Sequence, residues 1–182
     1  MQGSEISKED KDKIAKLANQ DFVTKILNEN LGNHYPDFDK IQKIELTPYK
    51  HHIGKTSAVF VVGYQLEYLN KAGKNQPLHI FATGHSDDSR KPAFAKLGFL
   101  YNNGFNQGQF QVTRPLFFVE EQKGFFYEAS EGDSLFAHFK QDDNLDLNNA
   151  LELTAGWVHE LHHLPVDKNF SWPHFSVADM VP

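Results

Sequence analysis

An α+β fold is the class this chain predicts: helices first, then a mainly antiparallel five-stranded sheet interrupted by one packed helix, then a connector and further helices. Three observations carry that expectation. Ser7, followed three residues later by Asp10, opens a segment in which Ile14, Leu17 and Ala18 recur at helical spacing. From Ala58 the period drops to two, as Phe60, Val62, Tyr64, Leu66 and Tyr68 alternate with smaller or polar residues. The aromatic run ending at Tyr127 then breaks into the acidic connector Glu128-Ala129-Ser130-Glu131-Gly132-Asp133, which leads through Ser134 and Leu135 back into helix.

The remaining elements follow in order. A second helix carries Phe22, Ile26 and Leu27 and stops near Leu31-Gly32, and Ile41 to Leu46 reads as a strand. The segment Tyr49-Lys50-His51-His52-Ile53-Gly54-Lys55 reads as a basic turn into the long alternating strand. Lys71 to Asn75 is a turn into the strand Leu78 to Ala82. Pro92 suits the first turn of a helix that carries Phe94, Leu97, Leu100 and Tyr101 and ends at Asn103-Gly104. Two short strands, Leu116 to Val119 and Phe125 to Glu128, are joined by the tight turn Glu121 to Gly124. The 16 phenylalanines read as core, with Phe94, Phe117, Phe118, Phe125 and Phe126 serving the two faces of the sheet and its helix.

Composition narrows the functional classes. The chain has 182 residues with 40% hydrophobic content, enough for one good core. Its 18 basic and 24 acidic residues give a net charge of −6, which argues against nucleic-acid binding through phosphate contacts. There is no cysteine, hence no disulfide scaffold and no thiolate zinc site. No apolar run approaches the roughly 20 residues of a membrane span, and the first ten residues lack the apolar core of a signal peptide. A soluble, cytoplasmic protein is the expectation.

Taken in order, several motifs resemble the amino-terminal part of the aminoglycoside phosphotransferase and choline kinase superfamily. They are Tyr49 to Lys55 with the strand Val61 to Leu66, Ile80 to Asp88 with the helix Ala93 to Leu100 and Gly104-Phe105, the connector residues Glu128, Gly132 and Leu135, and Ala155 to Pro165 with its Leu161-His162. The match spans roughly residues 40 to 165. It implies a kinase-like small lobe at 37–130, preceded by a helical segment at 1–36 and followed at 131–182 by the hinge and the start of a helical large lobe. In that reading ATP meets the main chain of Glu128 and Ser130 at the hinge, with Thr83 and Lys55 toward its phosphates. Thr83 occupies the slot of the family's phosphate-binding lysine, and Lys96 falls near that of the glutamate that orients it. A hydroxyl cannot neutralise a phosphate. No segment resembles the family's catalytic loop or metal-binding aspartate, so catalytic residues and magnesium ligands are expected beyond residue 182 or not at all. Nucleotide affinity is therefore expected to be weak, since a hinge offers about two hydrogen bonds of roughly 1 kcal/mol net each.

A competing signal is His159-Glu160-Leu161-His162-His163, which fits the H-E-x-x-H helix motif of zinc proteases. The apolar stripe of that helix is Leu147, Ala150, Leu151, Thr154, Val158 and Leu161, so His159 and His163 point to water on the far side. Val166 and Asn169 stand where the extended motif needs glycine and histidine. No zinc site is expected. The same stripe needs cover, and the expected cover is a second copy of the chain packed through residues 135 to 182. Two classes of function follow: the nucleotide-binding lobe of a phosphotransferase-like protein with an unidentified small-molecule acceptor, or a stand-alone, non-catalytic binding or dimerisation module.

Overall fold

The structure, a computed structural model, describes residues 5–130, 132 and 147–164. The chain divides into two compact units, Met1–Gly132 and Asp133–Pro182. The first is an antiparallel sheet with helices on both faces.

Helix α1 (Lys8–Ala15) starts at Ser7, whose hydroxyl oxygen accepts from the Asp10 amide at 3.0 Å and thereby satisfies a free donor of the first turn. A short 3-10 turn, Lys16–Ala18, separates it from α2 (Gln20–Asn30), capped by Asn19 accepting from Phe22 N at 2.9 Å. The strands are β1 (Phe38–Ile53), β2 (Ala58–Asn70), β3 (Asn75–His85), β4 (Pro115–Val119) and β5 (Gly124–Glu128), with α3 (Arg90–Asn102) between β3 and β4. Every pairing is antiparallel, in the order β1-β2-β3-β5-β4. The expected order of elements is thus observed, as is the five-stranded antiparallel sheet.

One expectation is corrected. The segment Tyr49 to Ile53, read above as part of a basic turn, is strand: His51 pairs with Phe60, His52 with Val59 and Ile53 with Ala58, and only residues 54–57 turn. The run is polar and exposed because β1 is an edge strand, so it shows no hydrophobic alternation. Cross-strand pairing with β2, helped by the His51–Phe60 ring contact at 4.4 Å, decides its conformation. For the same reason the strand read as 41–46 extends over 38–53. A register shift between Pro48 and Lys50 falls at Tyr49, whose ring packs 5.1 Å from that of Phe81.

The alternation on β2 divides the core. One sheet face carries Val62, Tyr64, Leu66, Ile80, Ala82 and Phe126, buried against Leu17, Val23, Leu27 and Leu31 of the amino-terminal helices. Each valine, leucine, isoleucine and phenylalanine side chain among them is worth about 1.5 to 3 kcal/mol when fully buried. Leu17 docks most tightly: it is fully buried, and its Cδ1 sits over Gly84 and Gly124 on adjacent strands, 2.6 and 3.3 Å from where a β-carbon would stand at each. Its carbonyl accepts from the Tyr64 hydroxyl at 2.5 Å. The opposite face carries Phe81, Thr83, Phe125 and Tyr127, and α3 packs there through Phe94, whose ring lies 5.5 Å from that of Phe125 and 6.0 Å from that of Phe118. The five phenylalanines named from the sequence divide between the two faces as expected, Phe117 and Phe126 stacking at 4.7 Å on the first.

In the second unit, helix α4 (Leu147–His162) is described. Leu151 and Val158 of its expected buried stripe are 58% and 37% exposed, as is Leu153 at 40%. His159 and His163 are exposed, as expected, with ring centroids 4.1 Å apart. The connector residues Glu131 and Asp133 to Leu135 lie outside the described residues. No helix among the described residues is long and apolar enough to cross a membrane.

Candidate functional site

The exit of β5 and the start of β3 form one wall-to-wall site. Ile80 pairs with Glu128, and the Ala129 amide donates to the His79 carbonyl at 2.9 Å, which holds the departing chain against β3. Around this junction lies an open cavity of about 520 Å³, lined by Pro77, Leu78 and His79 on one side and Glu128, Ala129, Ser130 and Gly132 on the other. A second depression, about 410 Å³, continues across the sheet past Pro77 to His79 and is lined further by Lys43, Glu45, Gln65 and Glu67. There Lys43 pairs with Glu45 at 2.7 Å, raising the lysine pKa and lowering that of the carboxyl through their hydrogen bond.

Beside these cavities the sheet presents an aromatic surface. Phe81 stacks on Tyr127 with centroids 5.8 Å apart, and His79 and Tyr49 flank Phe81 at 5.0 and 5.1 Å. Gly63 makes the cluster possible, since a β-carbon there would stand 2.8 Å from the Tyr49 ring and 3.1 Å from that of Phe81. Tyr49 is 63% exposed and leaves the cluster open to a planar ligand. Burial raises the pKa of the Tyr127 hydroxyl, and the charge of Arg90 opposes that rise.

The four residues expected to bind nucleotide do not converge. Glu128 and Ser130 line the cavity at the β5 exit. The Glu128 side chain, however, turns to the other face of the sheet, where it accepts a short hydrogen bond from the Tyr35 hydroxyl and meets Arg114 Nη1 at 3.3 Å. Arg114 also donates to the His34 carbonyl at 3.0 Å and lies over the Tyr35 ring. Burial, then the bond to Glu128, holds the Tyr35 pKa far above the usual phenol range. Burial, then Arg114, lowers that of His34. This cluster ties the chain between α2 and β1 to the end of β5.

Thr83 lies on the aromatic face opposite Phe125, only 8% exposed, and three residues along β3 from Ile80, about 10 Å at strand spacing. Lys55 stands in the β1–β2 turn, exposed, with its carbonyl accepting from Ile6 N at 2.9 Å. That turn adjoins the far end of the sheet, where Ala58 bonds Ser86, away from the β5 exit. Tyr35, Arg114 and Arg90 had no assignment from the sequence, and Tyr49 entered only as part of the turn Tyr49 to Lys55. Arg90 alone carried a local sign, a base opening a helix where acids are favoured.

No group of three or more histidines, aspartates or glutamates among the described residues is arranged to hold a metal ion. Comparison of the chain with protein-family models, with curated proteins and with solved structures found no match.

Proposed function

We propose that this chain is the nucleotide-binding portion of a phosphotransferase-like protein of the aminoglycoside phosphotransferase and choline kinase type, and that by itself it transfers no phosphate. The observation that carries the reading is the cavity at the β5 exit, where connector backbone from Glu128 to Ser130 faces β3 next to an aromatic surface. A planar base seated there meets main-chain groups at its edge and rings at its face. The element order β-β-β-α-β-β ahead of that connector supports the same reading.

Titration of 15N-labelled protein with adenosine tests it. Amide shifts are expected at His79, Ala129 and Ser130, with ATP binding weaker than about 10 μM, near −7 kcal/mol. Shifts confined to other regions, or none at millimolar adenosine, refute the reading. Incubation with ATP, magnesium and a panel of aminoglycosides, choline and sugars is expected to give no turnover above buffer.

A second reading, a non-catalytic dimerisation module, is favoured by exposed Leu151, Leu153 and Val158 on α4. It expects a homodimer through residues 135 to 182. Light scattering that shows a 20.8 kDa monomer at high concentration excludes it.

A further inference from the structure

The free side of β1 faces a groove. Outermost among the described strands, β1 pairs with β2 alone, and its Ile41 amide points away from β2 to Asn28 Oδ1 of α2 at 2.9 Å. That carboxamide oxygen stands where the carbonyl of a neighbouring strand would. Between this flank of α2 and β1 lies an open cavity of about 500 Å³, lined by Gln20, Asp21, Thr24, Lys25 and Asn28 on the helix and by residues 41–44 on the strand. Bulges and lysines on an edge usually blunt it against pairing. Here the register shifts, between Ile41 and Lys43 and between Pro48 and Lys50, bracket an uninterrupted stretch of six residues, Lys43 to Pro48.

The charges on this edge are self-complementary. Lys43 and Glu45 flank Ile44 on one face of the strand, each side chain 58% exposed, and pair with each other at 2.7 Å. When two β1 strands pair antiparallel about a two-fold axis at Ile44, Lys43 of each copy stands opposite Glu45 of the other. Directly opposite residues have Cβ atoms about 4.5 to 5.5 Å apart, close enough for opposite charges to attract. Moving the axis one residue either way, to Lys43 or to Glu45, sets like charges opposite each other, so charge selects the register. On the other face of the sheet, Asp21 and Lys25 lie one turn apart on the flank of α2 that lines the groove. The same axis reverses that flank and turns Asp21 of each copy toward Lys25 of the other. Two sets of opposite charges, one on each sheet face, satisfy a single symmetry operation. An unrelated strand has no such match built in.

We propose that two copies of this chain associate through the free edges of β1, joining their sheets into one continuous sheet with α2 beside α2 across the axis. The depression of about 410 Å³ that Lys43 and Glu45 line then adjoins its counterpart in the second copy. This surface lies outside residues 135 to 182, and its use requires no nucleotide.

Light scattering on the full chain and on charge-exchanged variants tests the proposal. The parent is expected at twice 20.8 kDa at high concentration. Lys43→Glu and Glu45→Lys each place like charges across the axis, and each is expected to weaken self-association at least tenfold while circular dichroism shows the parent fold. An equimolar mixture of the two restores opposite charges at both contacts and is expected to dimerise as the parent does. The double variant Lys43→Glu/Glu45→Lys is expected to do so alone. A parent that stays monomeric at millimolar concentration overturns the proposal, as does a dimer indifferent to both single variants, which places the contact on another surface such as residues 135 to 182. Single variants that dissociate and do not recover on mixing also overturn it. Should a single variant lose its fold, the double variant decides, and a monomeric double variant overturns the pairing.

Discussion

Replacing Gly84 by alanine tests how the amino-terminal helices are held. Gly84 and Gly124 form a notch on neighbouring strands into which Leu17 fits, and the added β-carbon would stand 2.6 Å from Leu17 Cδ1, 3.3 Å from the Gln122 carbonyl and 3.4 Å from Ile14 Cγ2. Leu17 and Ile14 are 0% and 1% exposed, so neither can swing into solvent. Two effects oppose each other. Alanine in a strand interior is favoured over glycine by about 0.5 to 1 kcal/mol, whereas overpacking of a filled core costs about 1 to 3 kcal/mol. With three neighbours in close contact and no route for relaxation, overpacking wins, and a net loss of about 1 to 2 kcal/mol is expected. Urea unfolding followed by far-ultraviolet circular dichroism is the suitable assay, because both tryptophans, Trp157 and Trp172, lie outside residues 1–132. Leu17→Ala alone should destabilise by about 2 to 5 kcal/mol, and combined with Gly84→Ala it should cost clearly less than the sum, since the small side chain vacates the contested space. An unchanged Gly84→Ala midpoint, or strict additivity in the double mutant, refutes the notch.

Two further predictions concern the tyrosines and Glu128. Burial raises the pKa of Tyr64, and that of Tyr35 is raised by burial and Glu128, so the folded state keeps both phenols neutral where the unfolded chain would ionise them. Their contribution is fully present below the ordinary phenol pKa near 10 and is lost as pH rises past it. Ultraviolet titration should show these two ionising only with unfolding, and their free titration in folded protein contradicts the buried placement. Glu128→Ala strands the Tyr35 hydroxyl and Arg114 half-buried, at a cost of about 1 to 2 kcal/mol by chemical denaturation. Tyr35→Phe combined with it should cost less than the sum; additive losses show that the two side chains do not interact.

The order of elements was legible along the chain because it depends on local chemistry. Ser7 and Asn19 cap because their side chains reach amides three residues on, and Val62, Tyr64 and Leu66 of β2 alternate because one face of the strand is buried against the amino-terminal helices. Where long-range pairing decides, local reading failed. Tyr49 to Ile53 carry no hydrophobic alternation and become strand only because β2 offers a ladder of partners. Glu128 stands in an acidic connector that resembles a hinge, yet strand parity sends its side chain to the face of Tyr35 and Arg114, a pairing across 93 residues that no spacing rule reveals. The match of Leu17 to Gly84 and Gly124 likewise exists only once three distant segments meet. Sequence alone determined the order of helices and strands and that Thr83 offers no charge. The tertiary structure determined that Thr83 lies buried on the face of Phe125 and Tyr127 and that Lys55 belongs to the other end of the sheet, because which residues meet is set by strand register and helix docking, not by distance along the chain.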